Sequence, residues 1–152
     1  LIALAGASSY HVTMTTASGQ TVTADFVKPA KIHVVAGPME LIEIGTTTYV
    51  KMSSTWHQFS FPGIEHMMGP LSNAQKLVKS HDDIVVTDLG PKSVDGTVLH
   101  AYGVKPGSSA KAVTMYLDAS GSLVRIDAAG PGGTNVVRFS NVNVPITINA
   151  PV

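Results

Sequence analysis

The sequence contains no cysteine. Disulfides, thiolate metal sites and cysteine nucleophiles are therefore excluded. Charge is scarce as well: 13% of residues are charged, against roughly 25% in an average soluble domain. Ten basic and ten acidic residues cancel, and only two of the basic ones are arginines, Arg125 and Arg138. Without a run of like charge there is no electrostatic footprint for nucleic acid or an anionic membrane. No apolar run approaches the roughly 18 residues of a membrane-crossing helix, so the chain is not expected to be transmembrane. Aromatic residues make up 6% of the chain and include a single tryptophan, Trp56.

What the sequence does contain is short alternating runs rich in Val and Thr, punctuated by glycine. At 152 residues and 44% hydrophobic content, one domain spanning 1–152 is expected, large enough to bury a core unaided. Apolar and polar residues alternate over 10–14, 22–26, 31–35, 39–44, 47–52 and 56–59, as half-buried strands should. Strands resume at 84–94, 98–104, 112–117, 123–126 and 135–139, and a last extended run is expected at 145–149. Turn signals stand between them at Ser18-Gly19, Asp95-Gly96 and Ser120-Gly121. The one helical pattern is Leu71, Ala74, Leu77 and Val78, with Lys76, Lys79 and His81 near its C-terminal end, where positive charge suits the helix dipole. The pattern predicts a mainly β (α+β) fold: a single curved antiparallel sheet of about eleven strands in meander order. A sheet that large must curl or be covered, and the helical insert at about 62–81, with residues 1–7, is the material available to cover it. Residues 1–7 read equally as the tail of a signal peptide, with Ala5-Gly6-Ala7 as a small-x-small cleavage site, or as the last turns of a helix on the sheet.

Residues 56–71 differ from the rest. They gather the only Trp, two of the four Phe and two of the six Met, framed by Pro62-Gly63 and Gly69-Pro70. Large, adaptable apolar side chains on a segment kept irregular by Gly and Pro suit either a plug in the core or a surface that meets another apolar surface. Trp56, Phe59, Phe61, Ile64, Met67, Met68 and Leu71 are the candidate ligand-lining residues.

The order of elements resembles the bacterial periplasmic lipoprotein-carrier superfamily, the LolA-like and LppX-like proteins. The likeness rests on residues 44–51 followed by Ser54-Thr55-Trp56, the 94–98 hairpin, the 115–118 and 123–126 pair, and the closing stretch from Phe139 to Ile148. The resemblance implies an open half-barrel with helices in its concave face. It also implies an exported, periplasmic or cell-envelope protein that carries lipid or lipoprotein acyl chains, with membrane anchoring through a preceding N-terminal segment left open.

Catalytic and metal chemistry finds little support. The six histidines include no pair at the i, i+2 or i, i+4 spacing of a metal site on one element, so no metal is expected. Gly121-Ser122-Leu123 lacks the second glycine of a nucleophile elbow. Glu40 and Glu43 have opposite strand parity and should face opposite sides of the sheet. No catalytic residue and no cofactor is expected. Two function classes remain: a non-catalytic carrier whose cup binds a lipid or acyl chain, and an envelope interaction or sensor module whose plugged cup leaves it to bind a protein partner.

Overall fold

A computed structural model describes residues 4, 6–60, 84–106 and 111–151. Its strands are β1 (Ser9–Thr15), β2 (Thr21–Val27), β3 (Lys31–Ala36), β4 (Met39–Ile44), β5 (Thr47–Met52), β6 (Thr55–Phe59), β7 (Ile84–Val94), β8 (Thr97–Pro106), β9 (Val113–Leu117), β10 (Leu123–Gly130) and β11 (Gly133–Ser140). All eleven form one antiparallel sheet in the order β6-β5-β4-β3-β2-β1-β11-β10-β9-β8-β7. The alternating runs thus became strands nearly where the pattern put them. The hairpin at Asp95-Gly96 shows why: both residues take positive φ (50° and 81°), the geometry whose twist matches the strands it joins.

The meander is continuous on each side but changes at its centre. β1 pairs with β11, His11 opposite Ser140 through Thr15 opposite Val136. As a result β6 and β7, neighbours in sequence, are the two edges of the sheet. The sheet is open, and residues 60–83 join its opposite edges. The helical insert expected at about 62–81 lies within 61–83, outside the described residues. Leu4 and Gly6 are helical, and Leu4 packs against the core.

Side-chain parity divides the sheet into two faces. One carries a continuous apolar cluster: Val12 and Phe139 at the central pair, Ala24, Val34 and Leu41 to one side, and Val137, Ile126, Met115 and Val104 to the other. Among the described residues Val12 is the largest fully buried side chain, and burying such a group stabilises by roughly 1.5–3 kcal/mol. The other face is polar along its centre, with His11, Asp25 and His33 in direct register across β1, β2 and β3.

The expected strand at 145–149 does not form. Residues 141–151 instead make a strap without regular structure. Asn143 N–H donates to the Ser9 carbonyl (2.8 Å), Ser9 Oγ to the Val144 carbonyl (2.6 Å), and Lys31 Nζ to the Ile148 carbonyl (3.1 Å). Ser9, Lys31 and the buried Ile42 share the polar face, so the strap crosses the strands of that face instead of joining their ladder. Pro145 and Pro151 lack the N–H that a ladder needs, and the apolar Ile148 finds burial on the sheet at 4% exposure.

Candidate functional site

The apolar face is the candidate binding surface. Its centre is aromatic: Tyr10 stacks on Phe26 at 4.8 Å between centroids and meets Phe139 tilted at 6.3 Å. These three rings stand on neighbouring strands because Tyr10 is opposite Phe26, and Phe139 is opposite Val12 one pair further along. Met14, Val22, Ile32 and Val50 extend the cluster toward β6, and Tyr102, Val113 and Leu117 extend it toward β7. The face is not uniformly apolar. Glu43 and Thr48, opposite each other on β4 and β5, share the parity of Leu41 and Val50. Asp88, His100 and Tyr102 form a second polar spot near the β7 edge: His100 Nε2 lies 2.7 Å from Asp88 Oδ1, and the His100 ring stacks on Tyr102 at 4.8 Å.

Two of the seven candidate lining residues fall among the described ones, and they part company. Phe59 is opposite Thr48, on the apolar face. Trp56 is opposite Lys51, on the polar face, with the Lys51 ammonium 5.5 Å from its ring centroid. That distance is within the reach of a cation–π contact. With Tyr49, Ser54, Thr55, Gln58 and Pro151, Trp56 lines a shallow groove of about 390 Å³. Phe61, Ile64, Met67, Met68 and Leu71 lie outside the described residues. A segment read as one unit in sequence thus begins with side chains on opposite faces, because β6 alternates them.

The polar face holds what residue-by-residue reading missed. His11 Nδ1 meets Asp25 Oδ1 at 2.6 Å, Asp25 Oδ2 lies 3.9 Å from His33 Nδ1, His33 Nε2 meets Glu40 Oε1 at 3.0 Å, and Lys51 Nζ donates to Glu40 Oε2 at 2.9 Å. This ladder crosses five strands. Hydrogen bonding from Lys51, reinforced by His33, holds the Glu40 carboxyl below its ordinary range in spite of partial burial. The opposite parity of Glu40 and Glu43, read from sequence, is what puts only Glu40 on this ladder. The signal for the rest was available in principle: once turn lengths set the register, His11, Asp25 and His33 fall in one row. Among the described residues no group of three or more His, Asp or Glu is arranged to hold a metal ion.

On β9 to β11 the same face is built from permanent charges. Arg125 grips Asp127 through Nε (2.6 Å) and Nη2 (3.0 Å), and Tyr116 donates its hydroxyl to Asp127 at 3.2 Å. Burial and the Asp127 charge raise the Tyr116 hydroxyl above its ordinary value. Asp95, at the β7–β8 tip, accepts from Arg138 at 3.0 Å and from Arg125 at 3.3 Å. Three strand spacings of ~4.8 Å separate β8 from β11, so the hairpin tip must curl over this face to bring Asp95 within reach.

No protein-family model matches the chain, and no curated protein matches it by sequence. Solved structures do. Lipoprotein LppX from Mycobacterium tuberculosis superposes with a TM-score of 0.68 at 18% identity, covering 97% of this chain and 93% of that one. LprF from Mycobacterium bovis gives a TM-score of 0.64 at 18% identity, covering 99% and 92%. This protein, an open antiparallel sheet with eleven strands among its described residues and one continuous apolar face, thus has the fold of LppX and LprF.

Proposed function

We propose that this is a non-catalytic protein of the cell envelope that binds an apolar ligand, a lipid or an acyl chain, against the apolar face of its open sheet. The observation that carries the reading is the apolar cluster itself, which runs without a break across β1–β5 and β8–β11 on one face only. A sheet of this size gains most of its stability by covering that face, and an open edge-to-edge architecture leaves room for a guest in the cover. The likeness in fold to LppX and LprF supports the same reading. Phe59 belongs to the proposed lining by its parity, and Phe61, Ile64, Met67, Met68 and Leu71 are proposed to complete it. Export to the periplasm or envelope is part of the same proposal, and the likeness supports it. Trp56 stands on the other face, where it lines the groove, and is proposed to act there rather than in the lining.

Native mass spectrometry of gently purified protein, with organic extraction of the same sample, tests the proposal. The expected result is a lipid-sized adduct that extraction removes, and an extracted protein that takes up an apolar fluorescent dye. Protein that carries no adduct and takes up no dye would overturn it. A second reading, an envelope interaction module, draws on the Trp56 groove, where an aromatic ring, an amide and hydroxyls are presented together on the polar face. Under that reading Trp56→Ala would abolish capture of a protein partner, whereas the lipid-binding reading expects lipid content to be unchanged in that variant.

A further inference from the structure

The groove on the polar face is built from an unusual set of side chains. Trp56 and Gln58 alternate along β6, with Lys51 and Tyr49 directly opposite them on β5, so all four share that face. Tyr49 and Trp56 are diagonal neighbours, within the reach at which two large rings can flank one space. The β5–β6 turn, where Ser53 takes a φ of 58°, sets Ser54 and Thr55 at one end, and Pro151 of the strap adds a wall. The volume of about 390 Å³ is in the range of small-ligand sites, but such sites are lined mainly by apolar side chains. Here two aromatic rings alternate with three hydroxyls and an amide.

That lining excludes several kinds of ligand. It contains no carboxylate and no free cation: the neighbouring Lys51 ammonium, 5.5 Å from the Trp56 ring centroid, is held by Glu40 at 2.9 Å. An ionic ligand would leave water without gaining a counter-charge. A wholly apolar one would cover the Tyr49, Ser54 and Thr55 hydroxyls and the Gln58 amide without pairing them. Among the described residues none of those side-chain groups is engaged in a hydrogen bond, so all remain open to a ligand. Hydroxyls and amides each donate and accept. The face of an indole is the negative side of its quadrupole and attracts C–H groups made positive by neighbouring oxygens. The matching ligand carries, on one rigid ring, a flat patch of such C–H groups and a rim of uncharged hydroxyls. A sugar ring has both. A polypeptide brings one backbone donor and one acceptor per residue, and its side chains gain affinity from enclosed pockets that a shallow groove lacks.

We propose that the Trp56 groove binds a neutral saccharide, one sugar ring stacking on the indole while its hydroxyls exchange hydrogen bonds with Gln58, Tyr49, Ser54 and Thr55. Because the groove is shallow, it takes one or two rings of a longer glycan and leaves the rest in water. The proposal goes beyond the lipid-binding reading and does not depend on it. It concerns the opposite face, so a lipid and a glycan can be held at the same time.

Trp56 is the only tryptophan, so the intrinsic fluorescence of the full chain reports on the groove directly. Mannohexaose, maltohexaose, cellohexaose and hexa-N-acetylchitohexaose are titrated as neutral probes, with hexagalacturonate as the anionic control and decaproline as the polypeptide control. At least one neutral hexasaccharide should change the Trp56 emission saturably, and the two controls should not. Gln58→Ala should weaken that saccharide about fivefold, the factor for one neutral hydrogen bond. Trp56→Ala, followed by calorimetry, should bind no saccharide, while its circular dichroism and its uptake of an apolar dye on the other face match those of the native protein. If none of the four neutral probes saturates, or if Trp56→Ala keeps its binding, the proposal is overturned. A saturable response to decaproline without one to any saccharide overturns it too, and gives the groove to a polypeptide partner. Saccharide binding by a protein that takes up no apolar dye supports the proposal and overturns the lipid-binding reading alone.

Discussion

The two halves of the polar face satisfy the same requirement in different ways. On β1–β5 a row of alternating His and acidic side chains, ended by Lys51, runs beside a strap that buries Ile148. On β9–β11 there are two arginines, an aspartate and a tyrosine, joined by Asp95 from the β7–β8 tip. The first half uses imidazoles, which carry charge only when protonated, and leans on an apolar cover. The second uses guanidinium groups, charged at every pH a protein meets, in bidentate geometry. The difference shows where each half keeps its stability: in a covering strap for the first, in a half-buried ion pair for the second. The apolar face beneath needs neither to be specific, because its cluster spans both halves.

Removing the cover should have the largest effect. Ile148→Ala is expected to cost about 3 kcal/mol in urea unfolding, the usual loss for a large-to-small change at a buried site. Val144→Ala on the same strap should stay within about 0.5 kcal/mol, since Val144 is 48% exposed. If the two costs are equal, the strap is not held by Ile148 and the contrast between the halves fails. Next comes the arginine pair. Arg125→Ala leaves Asp127, whose side chain is 18% exposed, without its bidentate partner, and should cost about 2 kcal/mol. Arg138→Ala, at a side chain 44% exposed, should cost under about 1 kcal/mol. Equal losses at the two arginines would place the stability of this half in Asp95 instead.

The histidine ladder should respond more weakly. Glu40→Gln, Lys51→Ala and the double variant form a cycle whose coupling is expected at about 0.5 kcal/mol, because the Lys51 side chain is 36% exposed. A coupling above about 2 kcal/mol would make the ladder the equal of the Arg125–Asp127 pair.

The smallest effect concerns acid. The carboxyls of Glu40, Asp95 and Asp118 are held below their ordinary values, chiefly by hydrogen bonds from Lys51, Arg138 and Ser120 respectively. For a group whose folded value is depressed, the unfolded chain binds more protons in the window between the two values. Stability therefore rises with pH there and is lost as pH falls through the folded value. The contribution of Glu40 is complete above its unfolded value of 4.5, and those of Asp95 and Asp118 above 3.8. Melting curves from pH 6 down to about pH 2 should show a loss that begins near these values, and Glu40→Gln should flatten its upper part. An unchanged profile in that variant would show that Glu40 contributes nothing to the acid response.

The sequence by itself determined the strands and their turns. Alternation of side chains has a period that only an extended chain satisfies, and Asp95-Gly96 adopts a backbone conformation that few other dipeptides tolerate. It also determined that Glu40 and Glu43 face apart, since parity within one strand is a local fact. Local rules stop at the strand ends. The pairing of β1 with β11 joins residues more than a hundred positions apart, and nothing in either strand names the other as partner. That single pairing made β6 and β7 the edges of an open sheet. The fate of residues 145–149 was likewise decided by tertiary structure: the run is extended and apolar enough for a strand, but the Ile148 carbonyl accepts from the Lys31 side chain, the preceding Val144 carbonyl accepts from Ser9, and the Ile148 side chain is buried. Trp56 was separated from Phe59 by the register of β6 against β5, although composition had grouped them.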